Sequence, residues 1–196
     1  MGTMASHRGN TLIRPLDQQF DVETARSIRA LIDRIGRIEL PDGSSRYYAV
    51  ELGHCLEAGL LLGSLHVAAS LLELVVRGTI VERLALAQTK PTDWEHRLEE
   101  MRHLGFPRLV DNLVDVGLFE KGDGDSAKDF YKAVRIPIHH GLPGRYVTHH
   151  DETAAFVKKL VGISMTTTAR DFENVIEDFA VPQIETVVGI IERNST

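Results

Sequence analysis

Arginine and histidine lie close together between Tyr131 and Gly141, in a chain that is acidic as a whole. Arg135 precedes an adjacent pair of histidines, His139 and His140, and a glycine follows them. A guanidinium stays charged at physiological pH and pairs with phosphate oxygens, whereas imidazole exchanges protons near neutral pH. These residue types together indicate acid–base chemistry at a phosphodiester, and therefore work on the backbone of a nucleic acid.

Charge in this segment differs from charge in the rest of the chain. The formal net charge is -6 at pH 7, which argues against a protein that coats nucleic acid with its whole surface, because such domains are usually strongly basic. A local patch of cations on an acidic body predicts phosphate handling instead. The cations between residues 127 and 150 are Lys128, Lys132, Arg135 and Arg145. All of them except Arg135 are candidate substrate-binding residues.

Helical spacing bears on which histidine acts with Arg135. His139 follows Arg135 by four residues, so an ideal α-helix places both on one face, in step with the two preceding lysines. His140 is rotated from Arg135 by roughly 140°, at about 100° per residue, although Pro137 removes a backbone donor and can distort the turn. Spacing alone favours His139. In the alternative interpretation the histidines only cap the C-terminus of a solvated helix.

Apolar residues recur with a helical period along nearly the whole chain, and no alternating strand pattern persists. With 196 residues and 43% apolar content, the chain can bury one sizeable core. The sequence therefore predicts an all-α fold, a single-domain helical bundle of about six to seven helices. We expect helices at about 21–39, 46–87 (two helices or one long bent one), 92–105 after a capping box, 107–116, 126–141, 152–161 and 168–193, the last kinked at Pro182.

Two of these elements matter most for the site. Leu60 to Val76 is apolar on most sides and is predicted to lie in the centre of the bundle. The glycine-rich run from Gly122 to Ser126 is predicted to be a turn before the helix of Arg135, with Asp125 or Ser126 as the N-cap residue.

The ends of the chain and its cysteine bear on location. Residues 1–15 are predicted to form a flexible N-terminal tail, partly a cloning remnant, because they begin with small polar residues and include a second methionine. Residues 16–196 would form the domain. Cys55 is the single cysteine, and no uncharged run is long enough to cross a bilayer, so we expect a cytoplasmic protein without membrane association.

Two clusters have residue types that bind metals, but neither is persuasive. His54 has Glu51 and Glu57 at helical spacing, a combination that is common by chance. The run from His149 to Asp151 lacks a third and a fourth convincing ligand. We therefore predict neither a metal nor a cofactor.

The segment from Arg135 to Gly141, placed late in an all-α chain, resembles the HEPN superfamily (higher eukaryotes and prokaryotes nucleotide-binding). The hallmark of that family is an arginine, four to six residues and a histidine, here Arg135 and His140. A central helix with Ala-Ala-Ser-Leu-Leu-Glu73 near its end adds to the likeness. The same spacing occurs from Arg97 and from Arg145, but without both the helical context and the following glycine.

The resemblance implies a metal-independent endoribonuclease that acts as a homodimer, with Arg135 and His140 of both subunits in one cleft. It implies RNA as the substrate, and a toxin or anti-phage defence role beside a nucleotidyltransferase-like antitoxin or another regulatory protein. Glu73, a carboxylate among apolar neighbours, either orients a catalytic residue or simply reaches the surface.

The alternative is a catalytically inactive helical module that binds nucleotide, RNA or a partner protein. Active members of the family often have a polar residue directly after the arginine and a tyrosine two residues after the histidine. This chain has Ile136 and Leu142 at those positions.

Overall fold

Every regular element that the computed structural model describes is helical. The described residues are 14–40, 42–80, 99, 103–136 and 169–195, and they include no strand. The predicted all-α, single-domain bundle is therefore confirmed. Its helices in the described part are α1 (Leu16–Gln19), α2 (Val22–Ile35), α3 (Gly43–Glu57), α4 (Leu61–Val75), α5 (Phe106–Asp115), α6 (Lys121–Phe130) and α7 (Ala169–Asn194).

Two helices continue into π-helical turns, in which hydrogen bonds span five residues instead of four. The first turn, Val76–Ile80, extends α4, and the second, Tyr131–Arg135, extends α6. The second turn packs against α4, and the first packs against α5. The ends of α4 and α6 are therefore brought together, although about sixty residues separate them along the chain.

Aspartate side chains determine where α2 and α3 begin. Asp21 caps α2 by accepting hydrogen bonds from the backbone of Glu23 and Thr24, at 2.8 and 3.0 Å. Asp42 caps α3 through the backbone N–H of Ser45 at 2.8 Å. The helix predicted at about 21–39 is α2, which ends earlier, at Ile35. The next helix, predicted to begin at about residue 46, begins at Gly43.

The long segment after Arg46 forms two helices, one of the two predicted alternatives. Gly59 separates α3 from α4 with a φ of +70°, a conformation that favours glycine. A Cβ at this position would also collide with the side chain of Gln19. The break is therefore local, and α4 folds back to pack along α3.

Helix α4 lies in the core, as predicted, between α3 and α7. The stretch Leu61–Gly78 is long and apolar enough to cross a membrane, with a mean hydropathy of 1.4, but half of it is buried by the other helices. Burial in the bundle accounts for that composition. The side chains of α4 that are almost fully buried are Leu61, Ser64, Leu65, Ala68, Ala69, Leu71, Leu72 and Val75.

The prediction of a turn from Gly122 to Ser126 is wrong, because α6 begins at Lys121 and contains the whole run. The glycine at position 124 is needed for packing. A Cβ there would lie 2.7 Å from Val114 Cγ2 and 3.3 Å from Val110 Cγ1. Helix α5 therefore approaches α6 at a glycine, and the N-cap position belongs to Glu120 instead of Asp125 or Ser126.

Asp123, also in that run, joins α6 to the last turn of α7. Its carboxylate accepts hydrogen bonds from Arg193 Nη2 at 2.6 Å and from Asn194 Nδ2 at 2.9 Å. Asp123 is only 7% exposed, so its charge requires such donors. Helix α7 continues through Pro182 up to this contact.

Some predicted elements lie outside the described residues. These are most of the tail (1–15), the capping box at 92–95, the end of the Arg135 helix at Gly141 and the helix at 152–161. The helix predicted at about 107–116, by contrast, is described as α5 (Phe106–Asp115), and Pro107 lies in its first turn, where its missing N–H costs no helical hydrogen bond.

Alanine substitutions at two neighbouring glycines of α6 should have opposite effects on stability. Gly122→Ala should raise the free energy of unfolding by up to about 1 kcal/mol, because alanine is the better helix former and a Cβ there meets no atom within 4 Å. Gly124→Ala gains the same propensity, but its contact with Val114 should cost about 1–3 kcal/mol through overpacking. Chemical denaturation measures both. Stabilisation by both variants would contradict the close approach of α5 and α6.

Asp123→Asn should lower the free energy of unfolding by about 1–3 kcal/mol, because Arg193 and Asn194 lose a charged acceptor. Asp125→Asn is the matched control, since Asp125 is an exposed residue of the same helix. Its effect should stay below about 0.5 kcal/mol. Urea denaturation at pH 7 compares the two variants, and equal losses would contradict the role of Asp123.

The loss of stability in Asp123→Asn should depend on pH. Burial raises the pKa of Asp123, but hydrogen bonds from Arg193 and Asn194 outweigh burial and keep that pKa below its ordinary value. Such a carboxylate stabilises the fold above its unfolded pKa of about 4, and this stabilisation is lost as the pH falls through the lower folded value. The stability difference between the parent and Asp123→Asn should therefore be full at about pH 6 and shrink below about pH 4. A stability difference that does not change with pH would contradict a lowered pKa of Asp123 in the folded protein.

Candidate functional site

Two arginines share one carboxylate where α4 meets the end of α6. Arg77 Nε donates to Glu73 Oε1 at 3.1 Å, and Arg135 Nη2 donates to Glu73 Oε2 at 3.3 Å. With the aromatic residues Tyr131 and Phe106, described next, these residues form what we call the Glu73 cluster. It contains the arginine that the sequence singled out and the carboxylate that was expected to orient a catalytic residue or to reach the surface.

On the side away from Glu73, the Arg135 guanidinium contacts an aromatic ring. The guanidinium carbon of Arg135 lies 5.1 Å from the centroid of the Tyr131 ring, within the range of a cation–π contact. Tyr131 stacks in turn on Phe106, with centroids 4.7 Å apart and planes inclined by 13°. Phe106 is 1% exposed. A side chain buried in the core thus supports the ring on which Arg135 rests.

Both arginines lie in the π-helical turns. Arg77 is the second residue of Val76–Ile80, and Arg135 is the last residue of Tyr131–Arg135. Arg77 Nη2 also donates to the backbone oxygen of Leu104 at 3.2 Å, which ties the end of α4 to the residues before α5. Single π turns inside α-helices are frequent at functional sites.

The Glu73 cluster is partly open to solvent and has more positive than negative charge. The side chains of Glu73, Arg77 and Arg135 are 26%, 32% and 25% exposed. Two guanidinium groups against one carboxylate leave a formal charge of +1. Each guanidinium has five N–H donors, and the bonds to Glu73 and Leu104 use only a few of them within the described residues. The arrangement can therefore receive a further anion.

Lys128 and Arg135 contact different helices. Lys128 Nζ lies 2.7 Å from Asp111 on α5 and 3.2 Å from Asp125. The hydrogen bond to Asp111, and then that to Asp125, raise the pKa of Lys128. The π turn also changes the regular spacing from which one cationic face was inferred. Lys132 is exposed, and the substrate-binding roles of both lysines stay predictions.

His139, His140 and Arg145 lie outside the described residues, which end at Ile136 in this part of the chain. Their roles also stay predictions, as does the choice between the two histidines.

Other histidines of the described part form no metal centre there. His54 Nδ1 lies 3.9 Å from Glu51, and His103 Nε2 lies 3.3 Å from Glu99. Within the described residues no three histidine, cysteine or acidic side chains come close enough to hold a metal ion. The cluster of His149 and its neighbours lies outside these residues.

Sequence reasoning missed the parts of the Glu73 cluster that hold Arg135. Arg77 follows Glu73 by four residues, a spacing that typically forms a helical ion pair, and this signal was present in the sequence. The stacking of Tyr131 on Phe106 had no local signal, because 25 residues separate them along the chain.

Comparisons with known proteins gave no relative, since no family model, curated protein or solved structure matches the chain. The interpretation of the site therefore depends on the residues of the motif and on the geometry of the Glu73 cluster.

Glu73 and Arg135 should be coupled in stability. Glu73→Gln should cost about 1–2 kcal/mol, because two half-buried guanidiniums lose their shared charge partner. A double-mutant cycle with Arg135→Gln should give a coupling energy of about 0.5–2 kcal/mol. Arg26, exposed on α2, is the control. The changes from Glu73→Gln and Arg26→Gln should add within about 0.5 kcal/mol, and additivity in the Arg135 cycle would contradict the contact.

Proposed function

We propose that the chain is a metal-independent endoribonuclease of the HEPN type, in which Arg135 and His140 act on an RNA phosphodiester. The observation that supports this most is the support of Arg135. Its guanidinium is held between Glu73 and the Tyr131 ring, at the end of a π turn and five residues before His140. An arginine that only solubilises a helix needs no such support.

The chemistry follows from the two residue types. A neutral imidazole removes the proton of the RNA 2′-hydroxyl, and the 2′-oxygen attacks the adjacent phosphorus. The guanidinium of Arg135 neutralises the charge that grows on the phosphate oxygens. The bond from phosphorus to the 5′-oxygen breaks, and that oxygen takes up a proton. The products are a 2′,3′-cyclic phosphate and a 5′-hydroxyl.

The proposal includes a homodimer in which both copies of Arg135 and His140 line one cleft. It also includes restraint by a nucleotidyltransferase-like antitoxin or another regulatory protein, because an unrestrained ribonuclease in the cytoplasm would damage the RNA of its own cell. The resemblance to the HEPN superfamily adds a toxin or anti-phage defence role to the proposal.

A second candidate is a catalytically silent module that binds RNA or nucleotide. The observation that favours it is that Glu73 already occupies part of the Arg135 guanidinium, while the apolar Ile136 follows directly. In this function the Glu73 cluster would bind phosphate without cleaving RNA.

Cleavage of a mixed RNA substrate in excess chelator separates the two functions. The parent protein should cleave RNA to cyclic phosphate ends that mass spectrometry identifies. Arg135→Ala and His140→Ala should each lower the rate by about 10²–10⁴-fold, because each removes a group that acts in the transition state. His139→Ala is the matched control and should retain cleavage.

All four proteins should have matching circular dichroism spectra, so that a loss of activity is not a loss of fold. Absence of cleavage by the parent, or equal cleavage by all four, would contradict the ribonuclease and favour the silent module. Cleavage that is lost with His139→Ala and kept with His140→Ala would contradict the assignment of His140.

A further inference from the structure

We propose that Arg77 is a second phosphate-binding residue, which forms with Arg135 a paired arginine site for a phosphodiester of single-stranded RNA. The choice of RNA as the ligand rests on the proposed function. The pairing of the two arginines rests only on the structure of the Glu73 cluster.

The carboxylate of Glu73 shows that both guanidiniums can bind one anion. Arg77 reaches one carboxylate oxygen and Arg135 the other, at 3.1 and 3.3 Å. A phosphodiester likewise presents two charged, non-bridging oxygens. Arginine is the side chain suited to such groups, because its planar fork of N–H donors matches their geometry. Two guanidiniums that converge on one small anion are therefore placed to hold another beside it.

The charge of the Glu73 cluster favours such a second anion. Its formal charge is +1 after pairing, whereas the whole chain has a formal charge of -6. A positive site on an acidic surface draws an RNA strand to that site more than to the rest of the protein. About a third of the Arg77 side chain is exposed, so part of the guanidinium is open to a ligand.

Hydrogen bonds within the protein orient the Arg77 side chain. Its Nη2 donates to the backbone oxygen of Leu104, and its Nε donates to Glu73. The guanidinium is thereby oriented before any ligand arrives, which reduces the entropy lost on binding. These same bonds would also suit an arginine that only joins α4 to the residues before α5, so the test must separate ligand binding from that structural role.

Binding of a fully 2′-O-methylated RNA oligonucleotide tests the inference, because that RNA has no 2′-hydroxyl to attack and cannot be cleaved by the proposed reaction. The dissociation constant is measured at several salt concentrations. Arg77→Gln should weaken binding about tenfold, the effect of about one charged contact. It should also reduce the slope of log affinity against log salt by about 0.7, the value for one phosphate contact on a single strand.

Matched variants keep the test sharp. Arg135→Gln should have a similar effect, whereas Arg26→Gln, an equal loss of charge on the exposed face of α2, should leave both the affinity and the slope at the parent's values. Arg77→Lys keeps the charge but loses the fork of donors. It should weaken binding by about threefold, and it decides the matter if Arg77→Gln does not fold.

Glu73→Gln provides a second test of the paired arginine site. Removal of the carboxylate charge raises the formal charge of the Glu73 cluster from +1 to +2, so RNA should bind more tightly, while cleavage should slow because Arg135 loses its orienting partner. If Arg77 has only a structural role, Arg77→Gln and Arg77→Lys should bind RNA with the affinity and the salt slope of the parent. That result would overturn the inference.

Failure of this inference is distinct from failure of the ribonuclease. RNA binding that depends on Arg77, by a parent protein that cleaves no RNA, would contradict the proposed catalysis and support the paired arginine site. Cleavage that depends on Arg135 and His140, with RNA binding unaffected by substitution of Arg77, would contradict the paired site alone.

Discussion

Burial of α4 is the constraint on which the other elements of the bundle depend. Its residues are apolar on nearly every side, so the chain must cover it from several directions to remove that surface from water. Helices α3 and α7 cover much of it, and the π turn after α6 packs against it as well. Because that turn ends at Arg135, the packing that completes the core also brings Arg135 to the end of α4, where Glu73 lies.

Asp123 and Glu73 are two of the carboxylates that pair with arginine in the described part of the chain, and the difference between them separates a structural contact from a candidate site. Asp123 is almost fully buried and accepts hydrogen bonds from Arg193 and Asn194, so one charge meets one countercharge. Glu73 is a quarter exposed and meets two guanidiniums. The first contact is electrically balanced and holds α7 against α6. The second leaves positive charge facing solvent, which a structural contact does not require.

The sequence predicted those parts of the molecule that depend on local pattern. The helical period gave the all-α class and the central place of α4, and Pro107 marked the start of α5. The prediction of a turn from Gly122 to Ser126 was wrong because the composition of this run is that of a turn. What makes it helical is contact with partners distant in sequence, Val110 and Val114 against Gly124 and the end of α7 against Asp123. Similarly, a carboxylate among apolar neighbours indicated that Glu73 needs a partner, but no local signal identified Arg135, 62 residues away.

The position of Glu73 between two cations gives the proposed phosphate site a physical basis in the protein without a ligand. Two guanidiniums brought together in a half-buried place repel each other, and the carboxylate between them offsets that repulsion while the protein is empty. Folding therefore assembles the cations in advance, so binding does not have to collect them from flexible side chains. A neutral residue at this position would leave a stronger but less ordered cationic site. In the proposed ribonuclease, Glu73 would lower the affinity for phosphate and improve the orientation of Arg135, and orientation is the property that a transition state requires more than a bound substrate does.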